Sequence, residues 1–355
     1  MRRLLISCAL AASLIAAGPA SPAAASGGFQ QVSLPFFWPN NSLYDVASAS
    51  ADSVWIVGVQ GEVIVPSGRT IPGNPVVRRW KNGGWTEYPL DGLSSHATIT
   101  SVDAPAPEDV WISGIRYRDD DSTEPYIGHF TGSSFAPVAL PSGATSTHIQ
   151  ADASGTWLST STDIYRWTNG AWSRLTALPA LRQHALQIRS ADDIWLFGQD
   201  GEYSTTVEAR HWDGASWTQV PVEQPTRLGT ITDVLPLSAT DAWAVGVDWV
   251  ANTPTLLHWD GASWKYTAAP SGLNALSRIV RAPDGTLWVN GHATDQPAAP
   301  GLIRYRDGAW QRVTTPALPF RSNVLVGALA VDPTSGALWT LGTPNIGGPV
   351  LLSDR

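Results

Sequence analysis

Seven residues, HWDGASW, stand at 211–217 and again without a change at 258–264, 47 residues further on. A chain that repeats itself at such an interval is constrained to stack one supersecondary unit many times, because a unit of that size cannot bury its own apolar face. The tryptophans carry the period through the rest of the chain. Trp55, Trp111, Trp157, Trp195, Trp243, Trp288 and Trp339 set the series, and turn-like segments such as SADSV, PAPED, SADDI, SATDA and PDGTL precede its members. Gly58, Gly114, Gly198, Gly246, Gly291 and Gly342 follow three residues later, and Thr160 alone breaks that rule. The chain therefore contains seven units.

A second series consists of aromatic pairs five residues apart: Trp80/Trp85, Phe130/Phe135, Trp167/Trp172, Trp212/Trp217, Trp259/Trp264 and Tyr305/Trp310. Between the members of each pair lies KNGG, TGSS, TNGA, DGAS, DGAS or RDGA. Gly beside Asn or Asp suits tight hairpins, because these residues tolerate positive φ. HWDGASW thus reads as a strand end, a turn and a strand start. Each unit reads as four short strands, the second carrying the series Trp and the third and fourth carrying the aromatic pair. No segment sustains a 3.6-residue period, so helix is not expected. Seven four-stranded antiparallel units predict an all-β fold, a seven-bladed β-propeller over 26–355 as one domain, with the aromatics filling the gaps between blades.

The seventh unit lacks a fourth strand. After Trp339 the chain offers Pro349, Val350, Leu351 and Leu352 as a third strand and then reaches Arg355. FQQVSLP at 29–35 matches WTQVP at 217–221 and WQRVTTP at 310–316. It is a fourth strand without its first three. The expectation is that the N-terminal strand joins the last blade and closes the ring, which removes two open sheet edges.

The unit S-x-D-D-x-W-x-x-G followed by H-W-D-G-x-x-W, clearest at 190–217, resembles the repeats of secreted bacterial β-propellers of the WD40-like and kelch-like kind. The resemblance runs by repeat along the chain. It departs from a strict WD40 repeat in the placing of its Gly-His and Trp-Asp elements, and from a kelch repeat in lacking consecutive glycines. It also lacks the Asp-box of sialidases and the cross-linkable cysteine of the copper oxidases. The resemblance implies a fold and leaves activity open, since propellers host binding scaffolds, lectins, lyases, hydrolases and oxidases.

Residues 1–25 read as a secretory signal peptide, with Arg2 and Arg3 before an apolar run from Leu4 to Ala17 and Ala23, Ala24 and Ala25 at its end. An extracellular location is the expectation. Cys8 is the only cysteine, so no disulfide or thiol chemistry is expected of 26–355. Without Arg2 and Arg3, 20 basic residues face 30 acidic ones. That balance argues against nucleic acid and anionic membrane as partners. No later stretch is long and apolar enough for a transmembrane helix.

Residues that depart from the repeat are the candidates for function. His129, His211 and His258 directly precede the third-strand aromatic, where Arg79, Arg166 and Arg304 stand in other units. They read as structural, with turn carboxylates such as Asp52, Asp109, Asp192 and Asp241 as partners. His96, His148, His184 and His292 lie outside the consensus. In a four-stranded meander the 4→1 and 2→3 connections emerge on one face. Here they are long and different in every unit, as at 58–75, 115–126, 199–209, 247–254 and 292–301. Binding residues concentrate on such loops. Trp38 and Trp249 stand there outside the repeat, joined by Tyr117, Tyr126 and Tyr203. A second reading has Phe36, Phe37 and Trp38 capping the junction of blades one and seven. Arg116, Arg118, Arg182, Arg227 and Arg321 add donors for carboxylates or sugar hydroxyls. RDDDSTE at 118–124 reads either as an oxygen-ligand calcium loop or as a solvated tip; no metal is predicted. Asp45 and Asp233 precede an inner-strand Val, with Ser101 and Arg278 in the equivalent place, and are expected at the mouth of a central channel.

The sequence predicts a secreted, non-catalytic binding protein that recognises a glycan or a secreted or cell-surface protein through its loop-rich face. It would act as a monomer or as a subunit of a secreted assembly, without a cofactor. The ligand-binding candidates are Trp38, Tyr117, His148, His184, Arg227, Trp249 and His292. The rival reading is a carbohydrate-active enzyme, a lyase or hydrolase, at the top of the channel. Its general acid/base would be His148, His184 or His292, with a cleft carboxylate or Arg as partner.

Overall fold

The computed structural model describes residues 28–66, 70–93, 95–120, 122–145, 147–201, 206–223, 229–318, 324–344 and 347–355. They form seven four-stranded antiparallel sheets and contain no helix. The innermost strands of blades one to seven are Ser42–Ser50, Ala97–Ala106, Thr147–Asp152, Arg182–Ser190, Gly229–Ser238, Leu273–Arg281 and Leu325–Val331. Each is followed by its second, Trp-bearing strand, such as Ser53–Gln60, Asp193–Gln199 or Asp241–Asp248. These second strands are packed on both faces; all eight residues of Ser53–Gln60 are buried. Double burial explains why they read as unbroken apolar runs rather than alternating ones.

Blade seven takes its first three strands from Leu325–Val331, Leu338–Thr343 and Val350–Ser353 and its fourth from Gln30–Val32. Gln30, Gln31 and Val32 pair with Ser353, Leu352 and Leu351. The ring is closed as the sequence predicts. A short hairpin, Val63–Ile64 with Thr70–Ile71, rises from the 2→3 connection of blade one.

Among the described residues the apolar core divides into seven clusters, one at each blade interface. The two aromatic series meet there. Trp55 packs on Phe130 and Phe135 of the next blade at 5.0 and 5.6 Å between centroids, and Trp243 on Tyr305 and Trp310 at 5.1 and 5.2 Å. Trp111 meets Trp167 and Trp172, and Trp195 meets Trp259 and Trp264, in the same way. A radial array widens outward, and only large rings fill that wedge at core density.

Both HWDGASW copies adopt one geometry. His211 and His258 bond Asp193 and Asp241 at 2.9 and 3.0 Å and stack on Trp195 and Trp243, each at 4.3 Å. Asp213 and Asp260 each accept two backbone N–H groups of their own turn. His129 repeats the arrangement with Asp109 and Trp111. The expected partners Asp109 and Asp241 are found, but Asp192 and Asp52 are not used. The partner stands two residues before the Trp, on the same side of the strand. That place holds Asp193 in blade four and Ser53 in blade one. Asp192 and Asp52 are three residues before, and Arg79 instead reaches Glu108 of the neighbouring blade at 3.0 Å.

Candidate functional site at the loop-face mouth of the channel

The series glycines explain how the channel is built. Leu43, Ile99, Gln183, Ile231, Leu276 and Val326 pair with Gly58, Gly114, Gly198, Gly246, Gly291 and Gly342, and the register slips directly after each pair. Every such inner strand thus carries a bulge that leaves one residue unpaired, bends the strand and re-aims the next side chain. The bulge brings the two backbones together. A Cβ on Gly58, Gly114, Gly246 or Gly291 would stand 2.0–2.1 Å from a carbonyl oxygen of the inner strand. Blade three has no slip, pairing without interruption from Thr147–Thr160 to Asp152–Gly155. It needs no glycine there, which is why Thr160 breaks the rule.

The bulges aim Asp45, Ser101, Asp233 and Arg278 into a central channel of about 520 Å³. The placement expected of these four holds, but the two carboxylates have structural partners. Asp45 accepts the N–H groups of Val46 and, across the interface, Val102; Asp233 accepts those of Val234 and Ile279. Asp103 takes the N–H of Ala151, Gln150 that of Ile188, and Asn290 donates to the carbonyl of Ala328. Side chains of one blade thereby satisfy inner-strand backbone groups of the next, as buried polar groups require. A glycosidase pair built on Asp45 and Asp233 would have to release these bonds.

Burial raises the pKa of Asp45 and Asp233, opposed by Arg278 and by the backbone donors. Asp103 is raised well above the usual carboxylate range, by burial first and then by Asp45. A carboxyl whose folded pKa exceeds its unfolded one contributes stability below the unfolded value and loses it as pH rises through the folded one. Asp103→Asn is therefore expected to melt a few degrees above the parent at pH 7, with the gap closing as pH falls towards 4. Thermal melts across that range check it; a variant less stable than the parent throughout would contradict it.

At the loop face a second cavity of about 290 Å³ opens, lined by His148 and Ser159 of blade three, Gln183 and His184 of blade four, Thr232 and Asp233 of blade five and Arg278 of blade six. His148 and His184 of the predicted set thus share one cavity with a carboxylate and a guanidinium. The His148 ring is reached by solvent from the mouth and flanked by protein; burial and then Arg278 push its pKa down to about 4. Burial and then Arg182 also lower His184, whose Nδ1 is buried without a partner. Arg278 Nη1 lies 4.0 Å from Asp233 Oδ1.

Trp249 is 67 % exposed, and its indole N–H donates to Thr230 Oγ1 at 3.0 Å. Thr230 lies at the start of the inner strand of blade five, so Trp249 is pinned on the loop face, and it does not itself line the cavity. Trp38 stands apart at blade one, 60 % exposed, held by its N–H to Gln60 and edge-on to Phe36. Of the junction cap, only Phe37 packs inward, with Arg78 over its ring. Tyr117 is half-buried near Tyr44 and does not line this cavity. His292 is tied through Nδ1 to Asn274 in blade six. Arg227, Tyr203 and Arg321 lie outside the described residues.

Two other expectations are corrected. Tyr126 is a core residue, 6 % exposed between blades one and two, because it lies on a strand rather than a loop. Arg116 and Arg118 are not free donors, since both pair with Glu124. In the acidic loop Asp120 is spent on the backbone N–H and hydroxyl of Ser122. Ser159, Gln183 and Thr232 carried no signal in the sequence beyond their distance from a repeat landmark.

No family model matches the chain, and no curated protein matches it. Among solved structures it is similar to YCF48 from Cyanidioschyzon merolae, at 15 % identity over 92 % of this chain and 98 % of that one, with a TM-score of 0.61. It is also similar to the extracellular domain of BT3049 from B. thetaiotaomicron, at 10 % identity over 92 % of this chain and 42 % of that one, with a TM-score of 0.57. At such identities the likeness is one of fold: the chain is a seven-bladed β-propeller, and these neighbours are propellers too.

Proposed function

We propose that the protein is a secreted, non-catalytic binding propeller that recognises a glycan or a protein partner through its loop-rich face. The observation that carries this reading is Trp249, an exposed indole on the 2→3 loop of blade five that Thr230 holds in place. A large apolar side chain held rigidly in water suits stacking on a sugar ring or anchoring a protein contact. The engagement of Asp45 and Asp233 by backbone donors supports binding over hydrolysis.

The test is a glycan array and a pull-down from the producer's secreted proteins, each with the parent and Trp249→Ala. Specific capture is expected of the parent, with a loss of tenfold or more in the variant. Its melting temperature should stay within a degree or two, since the change is at the surface. Capture indifferent to Trp249 would remove the site from the loop-face mouth.

One arrangement favours the second reading, a carbohydrate-active enzyme: His148, His184, Asp233 and Arg278 line a single cavity. Two imidazoles beside a carboxylate and a guanidinium are groups of the kind that general acid–base catalysis uses. Release of reducing ends or unsaturated products from polysaccharides, abolished by His148→Ala, would establish it in place of the first.

A further inference from the structure

The mouth is not a closed cup. A third cavity of about 280 Å³ continues from it over blade three, lined by His148, Ser159, Thr160, Ser161, Leu181 and Gln183. The mouth and the outer cavity share His148, Ser159 and Gln183, and together they make a trough that starts where the channel opens. The reason for the opening lies in blade three. Its 2→3 connection consists of residues 161–162 alone, between Gly155–Thr160 and Asp163–Thr168. Every other blade has a longer connection there, such as 61–73, 118–122 or 294–300. The expectation of long loops in every unit fails at this blade, and the rim of the loop face has a notch where it fails.

The chemistry of the trough is polar without net charge. Ser159, Thr160 and Ser161 bring hydroxyls and Gln183 an amide, alongside two imidazoles. The one cation, Arg278, faces Asp233. Such a lining offers no excess charge to a phosphate, carboxylate or ammonium group, and little apolar surface to a lipid or an amphipathic helix. It suits a chain of vicinal hydroxyls, each of which can both donate and accept. Resting on the glycan arm of the proposed function, we infer that the trough holds an uncharged polysaccharide chain that runs from the channel mouth, past His148, and out through the notch in blade three.

The inference is tested by calorimetric titration of the full protein with cellohexaose, xylohexaose and mannohexaose. A galacturonic-acid hexamer and a Ser/Gly hexapeptide serve as charged and peptide counterparts. Ser161→Trp plugs the notch at an exposed position, Gln183→Ala thins the trough wall, and melting curves control for folding. One neutral hexasaccharide is expected to bind. Ser161→Trp should weaken it at least tenfold while changing the corresponding disaccharide less than threefold, and Gln183→Ala should weaken both. Binding of the hexasaccharide unchanged in Ser161→Trp overturns the inference, as does a preference for the galacturonic-acid hexamer or the hexapeptide. Trp249-dependent capture of a protein with no glycan bound would overturn it while leaving the binding reading intact. Neither kind of capture would sink both.

Discussion

A chain lacking residues 29–35 is expected to melt about 7 °C below the full chain and to associate through the edge it exposes. The strand Gln30–Val32 is short, but its removal strips the outer cover from Val350–Ser353, where Val350, Leu351 and Leu352 are at most 1 % exposed. It also takes away Val32 and Phe29, both buried, and the Ser33 carbonyl that accepts the Trp85 indole N–H at 2.9 Å. Each buried apolar side chain contributes roughly 2 kcal/mol. With the ladder bonds and newly wetted leucines, the loss comes to about 5 kcal/mol, which the melting shift reflects. Phe29 sharpens the argument. It packs edge-on to Trp288 at 6.1 Å, the role that the second aromatic of a pair plays towards the preceding blade elsewhere. Blade seven therefore receives its outer aromatic from the far end of the chain. Thermal melts and sedimentation of the deletion decide the matter, with Val32→Asp as a single-residue version. A deletion that melts with the parent would mean that blade seven stands on three strands.

The closing strand was legible because FQQVSLP keeps the spacing of a fourth strand, and the Trp series because burial on both faces leaves a continuous apolar run. The geometry around the channel was less legible. A bulge has no residue signature of its own; its trace was Gly58 and its counterparts, whose close-approach role shows only once Leu43 and its counterparts are laid beside them. The His–Asp pairs were half legible. The residue types were right, but choosing between Asp192 and Asp193 needs the strand's two-residue period counted from Trp195. His148 and His184 were singled out as exceptions to the repeat, and they do share a cavity. Their neighbours Ser159, Gln183 and Thr232 come from three different blades, and nothing local announces a convergence made by closing a ring. Tyr126 shows no local sign of burial in the sequence, because nothing in RDDDSTEPY marks Thr123 as the start of the third strand.

Gly246→Ala should cost about 3 kcal/mol, a large effect for the addition of one methyl group. The added Cβ would stand 2.0 Å from the Thr230 carbonyl oxygen and 2.9 Å from the Ile231 Cα, both backbone atoms that cannot rotate away. Relief requires the two innermost strands of blade five to separate. That opens the bulge which aims Asp233 at the Ile279 N–H and holds Thr232 at the mouth. Gly58→Ala and Gly114→Ala should behave alike, at 2.0 and 2.1 Å. Gly84→Ala is the control: it lies on an outer strand with nothing within 4 Å of the added carbon, and it should change stability by less than about 0.5 kcal/mol. Blade three supplies the converse. Thr160 occupies the equivalent place without a bulge, its hydroxyl accepting the N–H of Asp163, so Thr160→Gly should weaken the blade rather than relax it. Chemical denaturation of the five variants would separate this account from one in which the glycines serve as flexible links. Flexibility predicts small, similar losses at all four glycine positions, whereas close approach predicts large losses at three and none at Gly84.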